Sequence, residues 1–221
     1  MARIARSTIH YGFAAAFIFA LAAAAGAAPL ARSRAPSETP KTRLAKGKFL
    51  VASRAIADPI FFEAVILLVD DDARGALGVI VNRPTAVPLV DALPEVKELR
   101  RRKDVVFLGG PMARDRMLVL MRTAKEPPES MRVFDRVYAS GSLDALRSSL
   151  THGEGVRAFA GYAGWGPGQL DAEVAHGDWL IGPADAKALF DAAPNAIWDD
   201  LMQRFTGDWT ALPGPALAVA E

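Results

Sequence analysis

Cysteine is missing from this chain, and histidine occurs only three times in its 221 residues. The first absence excludes disulfides, thiolate metal sites and a cysteine nucleophile, and it leaves the compartment unreadable from redox chemistry. The second leaves only His10, His152 and His176 for imidazole chemistry, and His10 lies in an apolar leader. A dominant charge is missing too. Lys and Arg number 26 against 25 Asp and Glu, so no global field draws in a polyanion, and direct binding of nucleic acid is not expected. The chain also has no internal repeat of fixed period, no Gly-x-Ser-x-Gly elbow, no P-loop Gly-Lys-Ser/Thr and no recognisable helix-turn-helix.

What is present speaks first to compartment. Arg3 and Arg6 precede an uncharged, alanine-rich run from Phe13 to Ala28. This is the charged start, apolar middle and small-residue end of a signal peptide, with Ala25–Ala27 or Gly26–Ala28 as the cleavage site. Residues 1–28 are therefore expected to be a signal peptide or, left uncleaved, a membrane anchor. That predicts export to the periplasm or cell envelope, with membrane contact only through this segment. The alternative is a cytoplasmic protein with a misassigned start. Residues 29–46, rich in Arg, Ser, Pro and Lys, read as a flexible linker. A single folded domain is expected over 47–205, followed by a loose tail over 206–221.

Within the domain, Lys48–Ala52 reads as a first strand, and the run over Glu63–Val69 as a strand buried on both faces. Asp70–Gly75 reads as a hairpin tip. Its three adjacent acids lack the alternating ligands and distant Glu of an EF-hand, so a solvated turn is predicted instead of a calcium site. Ala76–Val81 is the return strand. Pro88–Arg100 is predicted helical but split by Pro94, and Arg100–Lys103 at its end forms a solvated basic cap rather than a phosphate site. Val105–Leu108, Arg116–Met121 and Val133–Ala139 are further strands, and Ser140 or Ser142 caps a helix carrying Leu143, Leu146 and Leu150. Val156–Tyr162 is a strand delivering a glycine- and aromatic-rich stretch, Gly161–Leu170, which is expected to be a rigid turn closing one end of the fold. A short helix over Gln169–His176, a strand over Trp179–Ile181 and helices over Pro183–Phe190 and Asn195–Phe205 follow. Hairpins and helices mix without regular βαβ alternation, which points to the α+β class with a mixed, largely antiparallel sheet.

Four motifs stand in order: Asp58-Pro59-x-Phe61; Gly75-Ala76-x-Gly78 running to Asn82-Arg83-Pro84; Gly109-Gly110-Pro111; and Gly161-Tyr162-Ala163-Gly164-Trp165-Gly166-Pro167-Gly168-Gln169-Leu170-x-x-Glu173. In that order and spacing, over about Gly47 to Phe205, the chain resembles the YqgE/AlgH family of small bacterial proteins. The resemblance implies an α+β fold in which a branched sheet curls into a pseudo-barrel with flanking helices. It also implies a transcriptional-regulator label, which stems from a branch linked to alginate synthesis; no basic face in this chain supports that label. Family members often carry an acid-His pair after the second strand and a Leu-His after the fifth. Here those places read Val69-Asp70 and Met121-Arg122, so no role built on such histidines carries over.

The candidate site consists of polar groups gathered by glycine-rich turns: Asn82 and Arg83, the amides of Gly109 and Gly110, and Tyr162, Trp165, Gln169 and Glu173. Arg83 could take a carboxylate or phosphate bidentately, and Trp165 could stack on a flat ligand. Equally, Asn82 and Gln169 could bond neighbouring loop backbones while Trp165 plugs the core edge. Glu173-x-x-His176 has the spacing of half a di-iron site, but a second half is missing, so a surface ion pair is expected. No catalytic residue, metal or cofactor is assigned. Two readings follow. One is a non-enzymatic binding or regulatory module for a protein partner or small molecule. The other is a small-molecule-binding protein or hydrolase using Asp58, Glu63 or Glu173 with Arg83. The oligomeric state is not legible.

Overall fold

Unbroken apolar runs build the centre of the fold, because strands covered on both faces have no solvent side to mark with polar residues. The structure, a computed structural model, describes residues 43–152 and 155–206. The expected leader, nearly all of the expected linker, almost all of the expected tail and Gly153 lie outside the described residues. β1 (Lys48–Ala52) pairs antiparallel with β2 (Val65–Asp72), and β2 with β3 (Gly75–Ile80). Phe49, Val51, Val65 and Leu67 enter one core, whereas Leu50, Ala52, Ile66 and Leu68 enter a second core on the opposite face.

The chain then forms β4 (Pro84–Pro88), α1 (Leu89–Ala92) and a 3-10 turn over Lys97–Arg101, so Pro94 does divide the helical segment. β5 (Val105–Leu108), β6 (Met112–Arg122), β7 (Met131–Phe134) and β8 (Val137–Ser140) follow. After α2 (Leu143–His152) come β9 (Gly155–Trp165), α3 (Gln169–His176) and β10 (Trp179–Pro183). α4 (Ala186–Phe190) and α5 (Ile197–Thr206) end the described chain. α5 presents Ile197, Trp198, Leu201 and Met202 to the first core, and α2 presents Ala145 and Leu146 to a third, shared with α1 and the 3-10 turn. Among the described residues, no helix is long and apolar enough to cross a membrane.

The strands run β10-β1-β2-β3-β9-β6-β8-β7, and β5, paired in parallel with β9, branches off and carries β4. This mixed, largely antiparallel sheet curls into a half-barrel with helices outside it, the α+β architecture that the resemblance implies. β9 is the branch strand. Its first half lies between β5 and β6, and its last residues pair with β3 (Ala76↔Trp165, Gly78↔Ala163).

Gly161 is where β9 changes neighbours. Before it, Phe159 faces the first core; after it, Tyr162 faces that same core, three residues on. Strict alternation would put residues three apart on opposite faces, so the strand slips by one at Gly161, whose φ is +76°. The slip turns Ala163 and Trp165 into the second core. A Cβ at Gly161 would lie 2.7 Å from the carbonyl oxygens of Gly110 and Met112, so close approach and left-handed backbone both require glycine there.

Several expectations need correction. The glycine-rich stretch is not one turn: Gly161–Trp165 is strand, and only Gly166–Gly168 turns. Asp70–Asp72 extend β2, leaving a two-residue tip at Ala73-Arg74 closed by the Arg74 amide donating to Asp72 Oδ1 at 2.7 Å. Val133–Ala139 is not one strand but the hairpin β7–β8, turning at Asp135 with φ +40°, a conformation that Asp tolerates better than most residues. Pro183 ends β10, and the helix after it starts at Ala186, capped by Asp185 accepting from the Ala188 amide at 2.7 Å. No local pattern marks β4, whose strand depends on its pairing with β5.

Candidate functional site

Three side chains following the Gly161 slip meet at one carboxylate. Trp165 ends β9, and the turn after it is closed by the Gly166 amide donating to Gln169 Oε1 at 3.1 Å. Gln169 and Glu173, four apart on α3, share one helical face, and Gln169 Nε2 donates to Glu173 Oε1 at 2.9 Å. Glu173 Oε2 accepts two indole N–H bonds, from Trp165 Nε1 at 2.8 Å and from Trp179 Nε1 at 2.9 Å. Both indoles are only 5% exposed, so the carboxylate is what satisfies their buried donors. The two rings cross edge to face at 6.2 Å, and Phe61 meets Trp179 in the same way at 5.9 Å.

A cleft of about 420 Å³ opens beside this cluster, lined by the three aromatic rings, Gln169 and Glu173, with Pro111 and Met112 contributing from the start of β6. Its remaining wall comes from the loop after β1. There Asp58 Oδ1 accepts the amides of Ile60 at 2.8 Å and Phe61 at 3.2 Å, which fixes the Phe61 ring in place. Asp178 lines the cleft as well, with Oδ1 2.8 Å from His176 Nδ1. His176 therefore pairs with Asp178 and not with Glu173, and the Glu-x-x-His spacing serves two separate contacts.

The structure thus brings Trp165, Gln169 and Glu173 together in one cleft. It places the other candidates elsewhere. Asn82 is buried and ties two chain segments, its Oδ1 accepting the Val65 amide at 3.0 Å and its Nδ2 donating to the Glu63 carbonyl at 2.9 Å. Arg83 donates to the carbonyls of Asn82 and Phe62, and burial lowers its guanidinium pKa while the nearby Glu63 opposes that shift. The Gly109 amide donates to the Ala160 carbonyl at 2.8 Å, so it is committed to the sheet. A Cβ at Gly109 or Gly110 would lie 2.2 Å from the β9 backbone, which accounts for the glycine pair by close packing. Tyr162 packs against the first core, on the face of β9 opposite Trp165.

Met112, Asp178 and Trp179 belong to the cleft without a motif to mark them, and Phe61 joins it although its motif did not make it a site candidate. For Trp179 a signal existed, since a second indole six residues after Glu173 can reach back over the Gly177 turn. Met112 had none, because its approach depends on the Met112↔Tyr162 pairing of distant strands. Where family members often carry histidines, Asp70 accepts the Asp71 amide at 3.1 Å, and Arg122 holds Asp191 through two bonds of 2.9 Å. Among the described residues, no group of three or more His, Cys, Asp or Glu side chains is placed to hold a metal ion.

Comparison with known proteins finds relatives across most of the described domain. The profile of the AlgH-like family matches residues 49–210. A UPF0301 protein of Streptomyces coelicolor is 37% identical over 168 residues, covering 73% of this chain and 87% of its own. A UPF0301 protein of Thioalkalivibrio sulfidiphilus is 35% identical over 175 residues, covering 76% and 94%. Among solved structures, the solution structure of the AlgH protein from Pseudomonas aeruginosa superimposes with a TM-score of 0.60 at 30% identity, covering 77% of this chain and 95% of that one. The crystal structure of a Corynebacterium diphtheriae protein gives 0.66 at 25% identity, covering 78% and 90%.

Proposed function

The chain belongs to the AlgH-like family, and from that premise we propose that it is a non-enzymatic binding or regulatory module whose ligand enters the cleft beside Trp165. One observation carries the reading. Glu173, the acid that meets both cleft indoles, has each oxygen engaged by N–H donors from Trp165, Trp179 and Gln169. A general base or nucleophile needs a lone pair turned toward its substrate, whereas this carboxylate serves as the peg on which the walls of the cleft hang. The hydrolase reading requires Asp58, Glu63 or Glu173 to act with Arg83; Arg83 and the nearby Glu63 lie outside the cleft, and the guanidinium is engaged there by the Asn82 and Phe62 carbonyls.

The test is a thermal-shift screen of the full-length protein against metabolites and short peptides, with each stabilising compound recovered and weighed by mass spectrometry. Stabilisation by a compound recovered intact, abolished in Ala57→Trp because the indole fills the cleft mouth, is the expected result. Turnover that disappears in a folded Glu173→Gln variant would overturn the proposal. Any regulatory effect then passes through the bound partner or small molecule and not through DNA, in keeping with the balanced charge. We place the protein in the cell envelope on the strength of the Phe13–Ala28 run. A reporter fused after residue 46 that is active only in the cytoplasm would refute that placement.

A further inference from the structure

The chemistry of the cleft walls selects among ligands. Three aromatic rings and the Met112 thioether supply an apolar, polarisable surface, and the quadrupole of an aromatic ring attracts cations that come within about 6 Å of it. Three carboxylates, Asp58, Glu173 and Asp178, line the same space, and among the described residues no Lys, Arg or His does. An anion would enter against all three charges, and a neutral apolar group would draw nothing from them.

The acids are not equivalent. Glu173 already accepts three N–H bonds, two of them on Oε2, and contributes a field more than a contact. Asp58 and Asp178 each use Oδ1 within the protein, and among the described residues neither Oδ2 receives a donor. Two carboxylate oxygens are therefore available to a ligand with several N–H donors, beside rings that can cover its methylene arm. A volume of about 420 Å³ accommodates one long side chain or a small amine rather than a folded element.

We propose that this cleft binds a cation carried on an apolar arm, an alkylguanidinium or alkylammonium group, either as an arginine or lysine side chain of a partner polypeptide or as a free metabolite of the same chemistry. This rests on the reading of the cleft as a binding site. The cation lies over the aromatic wall with its donors toward Asp58 and Asp178, and its methylenes pack on Met112 and Phe61.

The experiment titrates the full-length protein with the blocked peptide acetyl-Ala-Arg-Ala-amide, its citrulline counterpart and butylguanidinium, following the tryptophan indole N–H resonances. Citrulline keeps the shape and removes the charge. The arginine peptide is expected to bind at least about tenfold more tightly than the citrulline peptide, and to weaken by a similar factor in Asp58→Asn/Asp178→Asn. Asparagine retains the Oδ1 acceptor in both places, so the loop survives while the charge goes. Binding of the peptide well above that of butylguanidinium identifies a polypeptide as the source of the cation; equal binding identifies a small metabolite. Citrulline binding as well as arginine, or the double variant binding unchanged, overturns the proposal. If neutral probes still bind and are lost in Ala57→Trp, only the cation preference fails. If no probe of any charge moves the indoles, the binding reading falls with it.

Discussion

Replacing Glu173 by alanine removes one acceptor group from three donors at once, and the cost can be worked from their surroundings. The Trp165 and Trp179 indoles are each 5% exposed, so water reaches them poorly once the carboxylate is gone. A buried donor left without a partner costs about 1–3 kcal/mol, which for two indoles gives roughly 2–6 kcal/mol. Gln169 is exposed and its amide can turn to solvent, adding little. Water entering the cleft relieves part of the penalty, so about 3 kcal/mol is expected, a large share of the 5–15 kcal/mol that holds a typical domain together. For a folded region of this size that corresponds to a fall in Tm of roughly 6–12 °C. Glu173→Gln is milder. Its single carbonyl oxygen can keep both indoles, but its amide nitrogen then faces Gln169 Nε2, donor against donor. Turning the Gln169 amide to relieve this would abandon the Gly166 N–H. A loss of about 1–2 kcal/mol follows. Urea and thermal denaturation of the three proteins, with near-ultraviolet dichroism reporting the indoles, measure both values. Glu173→Ala within about 0.5 kcal/mol of wild type, or Glu173→Gln less stable than Glu173→Ala, would refute the reasoning.

Other perturbations probe the frame around the cleft. Gly161→Ala places a Cβ 2.7 Å from two carbonyl oxygens at φ +76°, and a destabilisation of about 3 kcal/mol or more is expected by denaturation; a loss below about 1 kcal/mol would mean β9 does not need its slip. Gly182→Ala drives a Cβ to 1.9 Å from the Phe205 ring, so it should cost about 1–3 kcal/mol and be partly rescued by Phe205→Ala in a double-mutant cycle, whereas strictly additive losses would deny the contact. Hydrogen bonding from Arg122, set against a small desolvation cost, holds the Asp191 pKa below the usual carboxylate value. Its contribution is present above the unfolded-state value near 3.9 and is lost as pH falls through the lower folded value, so Asp191→Asn should flatten the acid limb of a stability profile. Asp71 has the opposite sign: burial, then Asp171, Asp70 and Asp72, raise its pKa, so its ionised form is penalised above the folded value and relieved on acidification. Asp71→Asn should therefore stabilise at neutral pH and have no effect well below pH 4.

Local pattern carried much of this architecture in the sequence, and long-range pairing carried what was not legible. Lys48–Ala52, Val105–Leu108 and α3 could be located because their signals are local: an apolar run, a strand before a glycine pair, a glycine turn before a helical face. The β7–β8 hairpin was hidden because Val133 and Val137 are both buried and the turn between them rests on Asp135 in an uncommon conformation. β4 was hidden because its five residues begin and end with proline and owe their pairing to β5. At the site, Trp165, Gln169 and Glu173 stood together because they are close along the chain. Asn82, Arg83 and the Gly109-Gly110 pair are alike in kind, yet Asn82 and Arg83 bond the backbone of the turn and strand start at Phe62, Glu63 and Val65, and the glycine pair packs on the β9 backbone, contacts that spacing cannot display. The same limit concealed the approach of Met112 and of the motif residue Phe61, which reach the cleft from another strand and another loop.

The tryptophan indoles provide the most direct test of the claim that the cleft beside Trp165 is a ligand site. Trp165 and Trp179 donate to Glu173 at the cleft, whereas Trp198 donates to the Ala52 carbonyl at 2.8 Å in the first core. The measurement is the indole ¹H–¹⁵N spectrum of the full-length protein during titration with the most stabilising compound from the thermal-shift screen. The account predicts that the Trp165 and Trp179 resonances move together and saturate while that of Trp198 stays in place. Saturable binding that leaves both cleft indoles unmoved, or that moves Trp198 instead, would contradict it.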